Sequence, residues 1–134
     1  MPANEPIRIL IVDDDPGVRR LLTILFEREG WTVATAADGE VALDQIARVR
    51  PDVVILDLML PKRTGVEVLR QIAEHDDGTA EKVLVLTAIS EAQLRRLPAD
   101  LRVRKIMRKP FDNSELLQSV RACGSELDAR AAMH

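Results

Sequence analysis

The stretch Ile7-Arg8-Ile9-Leu10-Ile11-Val12-Asp13-Asp14-Asp15-Pro16 decides the fold. Its first six residues are apolar except Arg8, and four of them are β-branched. Such a run favours a strand buried on both faces, the habit of parallel sheets covered by helices. Three aspartates then end it abruptly. Asp15 can cap a helix by accepting hydrogen bonds from free backbone N–H groups, and Pro16 suits the first helical position. A buried strand that runs straight into a capped helix is the opening half of a βαβ unit.

The same alternation repeats along the chain. Strands are expected at approximately Ile7–Val12, Thr32–Thr35, Val53–Leu56, Val83–Leu86 and Val103–Met107. The stretches between them carry a helical period. The first helix should bury Val18, Leu21, Leu22 and Leu25 and stop at Gly30. Trp31 opens the second strand as a core or rim residue. Asp38 can cap a second helix that buries Ala42, Leu43 and Ile46 and ends before Pro51. Thr64 caps a third, burying Val66, Leu69, Ile72 and Ala73. Ser90 opens a short fourth, which Pro98 should end. Asp112 and Glu115 suggest a capping box for the fifth, whose stripe is Leu116, Leu117, Val120, Cys123 and Leu127.

Five strands alternating with five helices predict an α/β fold: a doubly wound five-stranded parallel sheet in a flavodoxin-like three-layer sandwich. Right-handed crossovers favour the strand order 2-1-3-4-5. Ligands in such sheets bind at the carboxyl ends of strands one and three, and this rule selects the residues to inspect.

Composition narrows the function classes. The chain has 134 residues, suited to one domain, and a formal net charge of −3. It therefore has no general electrostatic pull on nucleic acid or membrane. Its one cysteine, Cys123, excludes an internal disulfide and fits a reducing cytoplasm. His75 and His134 are the only histidines, so no Cys/His metal cluster can form and any metal must be a hard, oxygen-bound one. The start of the chain lacks the pattern of a signal peptide, and no apolar run approaches the ~20 residues of a membrane span.

The strand ends hold the chemistry. Asp13, Asp14 and Asp15 end the first strand. Asp57 ends the third, within VVILDLMLP at 53–61. Thr87 ends the fourth, within VLVLTA at 83–88, and Lys109 ends the fifth, within MRKPF at 107–111. Clustered carboxylates repel one another, and a divalent cation removes that penalty. Mg²⁺ accepts a few carboxylates, a carbonyl, waters and a phosphate oxygen.

These motifs, with Gly65 after the second, resemble the response-regulator receiver domain of two-component signalling. The resemblance covers residues 7–123, leaving 1–6 as an N-terminal extension and 124–134 as the end of the last helix and a tail. It implies that Asp57 is the phosphoacceptor, that Asp14 holds Mg²⁺ directly and Asp13 through water, and that Asp57 and the Met59 backbone carbonyl complete the ligand set. Lys109 would place a positive charge on the phosphoryl group, and Thr87 would donate to it only after phosphorylation. The Lys109–Pro110 bond would be cis. The phosphodonor would be a sensor histidine kinase or a histidine phosphotransfer protein, and the protein would switch partner binding rather than turn over a substrate. A downstream protein would dock on the face made by helix four, strand five and helix five, where a homodimer is also possible. No membrane partner is implied. Direct nucleic-acid binding is not expected, since no helix-turn-helix follows.

Three departures from the family pattern matter. The usual aromatic switch position holds Ile106, which has no ring. Signalling should then proceed by shifts of helix four and strand five. Arg95, Arg96, Arg102, Arg104, Lys105, Arg108 and Lys109 place seven basic residues in fifteen positions, either a solvated face or a docking surface for an acidic partner. Met59 and Ile89, each two residues beyond a site residue, offer no group to orient a water, which suggests a long-lived phosphorylated state. A phosphatase with an aspartyl-phosphate intermediate would need a second aspartate where Met59 stands. A non-phosphorylated scaffold is the remaining alternative, and the chain reads either as a stand-alone receiver or as one cut from a larger DNA-binding or enzymatic regulator.

Overall fold

The apolar strands form one five-stranded, all-parallel sheet in the order β2-β1-β3-β4-β5. In the computed structural model, which describes residues 6–75 and 77–132 and side chains as far as 125, the elements alternate strictly. They are β1 (Arg8–Val12), α1 (Pro16–Glu27), β2 (Thr32–Ala36), α2 (Gly39–Val49), β3 (Val53–Leu56), α3 (Gly65–His75), β4 (Val83–Thr87), α4 (Glu91–Arg95), β5 (Lys105–Arg108) and α5 (Asn113–Ala132). A single 3-10 turn, Thr79–Lys82, leads into β4.

Each strand feeds two cores because side chains alternate across a sheet. Leu10, Val12, Val54, Leu56, Val83 and Val85 face one side, where Ala42 of α2 and Val68, Leu69 and Ile72 of α3 cover them. Ile9, Ile11, Val53, Ile55, Leu84 and Leu86 face the other, under Leu22 and Phe26 of α1 and Leu116, Val120 and Cys123 of α5. All three central strands are thus buried on both faces, as their unbroken apolar runs require.

The caps explain where helices start. The Asp15 carboxylate accepts from the N–H groups of Gly17 and Val18 at 2.8 and 3.4 Å. Asp38 accepts from Val41 N–H at 2.9 Å, a bond that holds its carboxyl below the usual aspartate range. Thr64 accepts from Glu67 N–H. Ser90 and Gln93 form a full capping box on α4.

Several sequence expectations need correction. The α1 stripe is rotated by about one residue: Leu21 is 52% exposed, while Phe26 is fully buried beside Leu22. Leu22 and Phe26 are four apart and share a face, and Leu21 lies ~100° away from Leu22. On α3, Val68 is buried and Val66 and Ala73 only half-buried. β5 starts at Lys105 rather than Val103, because Val103 turns to cover the α3 side of the sheet and pairing with β4 begins only at Lys105. Asp112 accepts from Ser114 N–H rather than forming a box with Glu115, whose carboxylate meets Lys105 at 3.5 Å. The Leu127 side chain lies outside the described residues.

Gly65 shows how the fold constrains the β3–α3 connection. A Cβ there would lie 2.5 Å from Leu58 Cα and 2.7 Å from the Asp57 carbonyl oxygen. Both are backbone atoms and cannot swing away. Gly65→Ala should therefore lower stability by about 1–3 kcal/mol, measured by urea unfolding. An unchanged midpoint would show that this connection is not close-packed.

Candidate functional site

Parallel pairing brings the carboxyl ends of β1, β3, β4 and β5 to one edge. Asp57 N–H donates to Val12 O at 2.9 Å, and Lys109 N–H donates to Thr87 O at 2.9 Å. These ladder bonds continue just past the strands and bring Asp13, Asp57, Thr87 and Lys109 together. Asp13 is 3% exposed, Asp57 6% and Thr87 fully buried.

Both oxygens of the Asp57 carboxylate accept hydrogen bonds. Oδ1 accepts from the Thr87 hydroxyl at 3.0 Å and from Met59 N–H at 3.1 Å. Oδ2 accepts from the Lys109 ammonium at 3.1 Å. The same ammonium donates to Asp13 Oδ2 at 2.6 Å, so one cation bridges two buried acids. Asp13 Oδ1 in turn accepts from Asp15 N–H at 2.9 Å. Asp14 is exposed at the rim. The Lys109–Pro110 peptide is cis.

One oxygen from each of Asp13, Asp14 and Asp57 can be chosen so that all lie within 4.8 Å of one another. This donor set is three hard carboxylates and no nitrogen or sulfur, which suits Mg²⁺ rather than a transition metal. Two of the acids are buried and the third is open to solvent, so an ion could enter without losing all its water. The residues therefore fit Mg²⁺.

The site also differs from its sequence reading. Thr87 bonds Asp57 in this structure, a contact that the sequence does not announce. Met59 contributes its N–H to Asp57, and its side chain is 56% exposed. Backbone donors of this kind leave no mark in a sequence, because any residue except proline supplies one. Ile89 is buried, and Ile106 is half-buried against the core on the α2 and α3 side of the sheet. The basic segment is no bare cationic patch. Arg102 meets Glu81 at 2.7 Å, Arg108 meets Glu91 at 2.6 Å, Lys105 meets Glu115 at 3.5 Å, and Lys109 is consumed by the site. Arg95 and Arg96 stay exposed. The neutralising acids come from other elements, which a local count of charge cannot see.

Burial works to lower the pKa of Lys109, but hydrogen bonds and charge from Asp13 and Asp57 outweigh it and raise the value above the ordinary 10.5. The folded chain thus keeps a proton that the unfolded chain would release. The associated stability is complete below about pH 10.5 and fades as pH rises through the higher folded value. In metal-free buffer, urea midpoints of the native chain should fall more steeply in that alkaline window than those of Lys109→Met. The variant should already be less stable at neutral pH, since it leaves two buried carboxylates without a cation. Parallel alkaline slopes would show that the lysine is not paired in solution.

Known proteins are similar to this chain. The family described as the response regulator receiver domain matches residues 9–121. Response regulator MprA of Mycolicibacterium vanbaalenii is 43% identical over 117 residues, 87% of this chain and 50% of the relative. The chain thus spans about half the length of that relative. Sporulation initiation phosphotransferase F of Bacillus subtilis is 36% identical, the alignment covering 85% of this chain and 90% of the relative. Among solved structures, the receiver domain of the Francisella response regulator 1452 superposes with a TM-score of 0.82 at 25% identity, covering 92% of this chain and 99% of the other. Among the described residues, no helix is long and apolar enough to cross a membrane.

Proposed function

Because the chain belongs to the response regulator receiver domain family, we propose that it works as the phosphoacceptor of a cytoplasmic two-component relay, with Asp57 as the residue modified. The observation that carries this reading is the single lysine shared by Asp57 and Asp13 beside a hydroxyl already bonded to Asp57. Receiver domains are not a turnover-enzyme family, and here too the product stays on the chain. Residues 7–123 form the working unit, flanked by 1–6 and 124–134.

The donor is the phosphohistidine of a sensor histidine kinase or a phosphotransfer protein. An oxygen of Asp57 forms a bond to phosphorus as the bond from phosphorus to the donor imidazole nitrogen breaks, and that nitrogen keeps the electron pair. Asp13, Asp14, Asp57 and the Met59 carbonyl would hold Mg²⁺, which when bound offsets the charge on the phosphoryl oxygens. Lys109 lies where its ammonium can follow the charge from the carboxylate to the new phosphoryl oxygens.

Transfer changes what Thr87 touches. Its hydroxyl bonds Asp57 Oδ1 beforehand and a phosphoryl oxygen afterwards. A contact that differs between two states is what can bias an equilibrium between them. Thr87 ends β4, and after three intervening residues α4 follows with no buried residue of its own. Few contacts oppose movement of such a helix. Ile106 offers no ring, and the Arg108–Glu91 ion pair links β5 to α4. The output face is that of α4, β5 and α5, presented to a protein target or a second copy.

Incubation with acetyl phosphate and Mg²⁺ should add one phosphoryl group to the intact mass. EDTA should prevent it. The adduct should decay slowly, because Met59 and Ile89 offer no polar group to position a water, and Met59→Asn should shorten its lifetime. An unmodified native chain would instead support a binding scaffold, and rapid decay unaffected by Met59→Asn would contradict the account of its persistence.

A further inference from the structure

We propose that Arg19 is a positioning residue for the metal-binding loop, acting on Asp14 through the backbone of Asp13. This rests on the reading of Asp13, Asp14 and Asp57 as the Mg²⁺ ligands. Asp14 is the exposed member of that trio and makes no side-chain hydrogen bond among the described residues. Something else must hold it in place, since a loose ligand loses entropy when it binds.

The two peptide planes on either side of Asp14 are both fixed. Arg19 Nη1 donates to Asp13 O at 2.8 Å, in a partly buried bond that spans six residues. The peptide unit is planar, so orienting that carbonyl also orients the nitrogen and Cα of Asp14. On the far side, Asp15 N–H donates to Asp13 Oδ1 at 2.9 Å and fixes the Asp14–Asp15 peptide. Asp14 is therefore aimed by its neighbours. Asp13 N–H is held as well, on Ala36 O at 3.1 Å. Arg19 is the only side chain from α1 among these anchors. Its own carbonyl accepts the Thr23 hydroxyl at 2.7 Å, one turn further along the helix.

Two effects of opposite sign separate this role from a general one. A guanidinium near three carboxylates repels an incoming cation, so electrostatics alone predicts that removing Arg19 tightens Mg²⁺ binding. Positioning predicts that it weakens. Loss of an outer hydrogen-bond partner of a metal ligand commonly costs ~10-fold or more in affinity. A Mg²⁺ titration by calorimetry on the full chain should show Arg19→Ala binding about tenfold more weakly than native. Arg19→Lys keeps one donor and should fall between the two. Thr23→Val perturbs the same helix without touching Asp13 and should bind as the native chain does. Urea unfolding of each variant separates a folding defect from a loop defect.

A second measurement does not depend on metal. In the metal-free protein, amide exchange at Asp14 and Asp15 should accelerate in Arg19→Ala and not in Thr23→Val. Equal or tighter Mg²⁺ binding by Arg19→Ala would overturn the proposal. Should the native chain bind no Mg²⁺ at all, the metal reading fails on its own, and unaltered amide exchange in Arg19→Ala would then overturn the positioning role as well.

Discussion

Two buried carboxylates next to each other are a problem that the rest of the molecule is arranged around. Asp13 and Asp57 sit at the ends of adjacent central strands, and β-sheet pairing leaves them no freedom to separate. In a low-dielectric setting their charges would repel each other strongly. Lys109 offsets this by reaching both from the end of β5. The strand order is what makes that reach possible, because β4 alone separates β5 from β3. The lysine satisfies only part of the charge, since Asp14 brings a third carboxylate to the same edge. Three carboxylates facing one lysine leave this edge of the sheet negatively charged.

The same arrangement ties chemistry to signalling. Each group that bonds Asp57 belongs to a different element: Thr87 to β4, Lys109 to the end of β5, and Met59 to the β3–α3 connection. Modifying one carboxylate would disturb all three contacts together. The packed core beneath is rigid, so the disturbance can be relieved only toward the surface. There α4 is five residues long with no fully buried residue, while Arg108 and Glu91 tie its first turn to β5. The basic residues of that region serve partly as such ties, which changes their meaning from an open cationic patch to a set of internal braces.

Much of this was legible in the sequence because it depends on pattern. The runs ILIV, VVIL and VLVL favour central strands, and their ends name Asp13, Asp57 and Thr87 directly. Topology rules then gave the strand order without any contact information. What escaped has one physical cause: it depends on partners distant in sequence or on backbone atoms. Glu81 and Glu91 neutralise Arg102 and Arg108 across gaps of 21 and 17 residues. The Met59 N–H and the Asp13 carbonyl carry no residue code. Leu21 is exposed where burial is expected, and Phe26 is buried without having been expected, because a helical stripe is about 100° wide and one residue of rotation exchanges its edges. The start of β5 was placed two residues early because Val103 is β-branched, yet it packs as cover beside the sheet.

Of the three clustered aspartates, we propose that Asp57 alone receives the phosphoryl group and the others serve it. Reduction of the phosphorylated chain with borohydride converts an acyl phosphate to an alcohol at the modified residue, which peptide sequencing by mass spectrometry can locate. The account predicts reduction at Asp57 only. Label at Asp13 or Asp14, or a phosphoryl group found on His75, would contradict it.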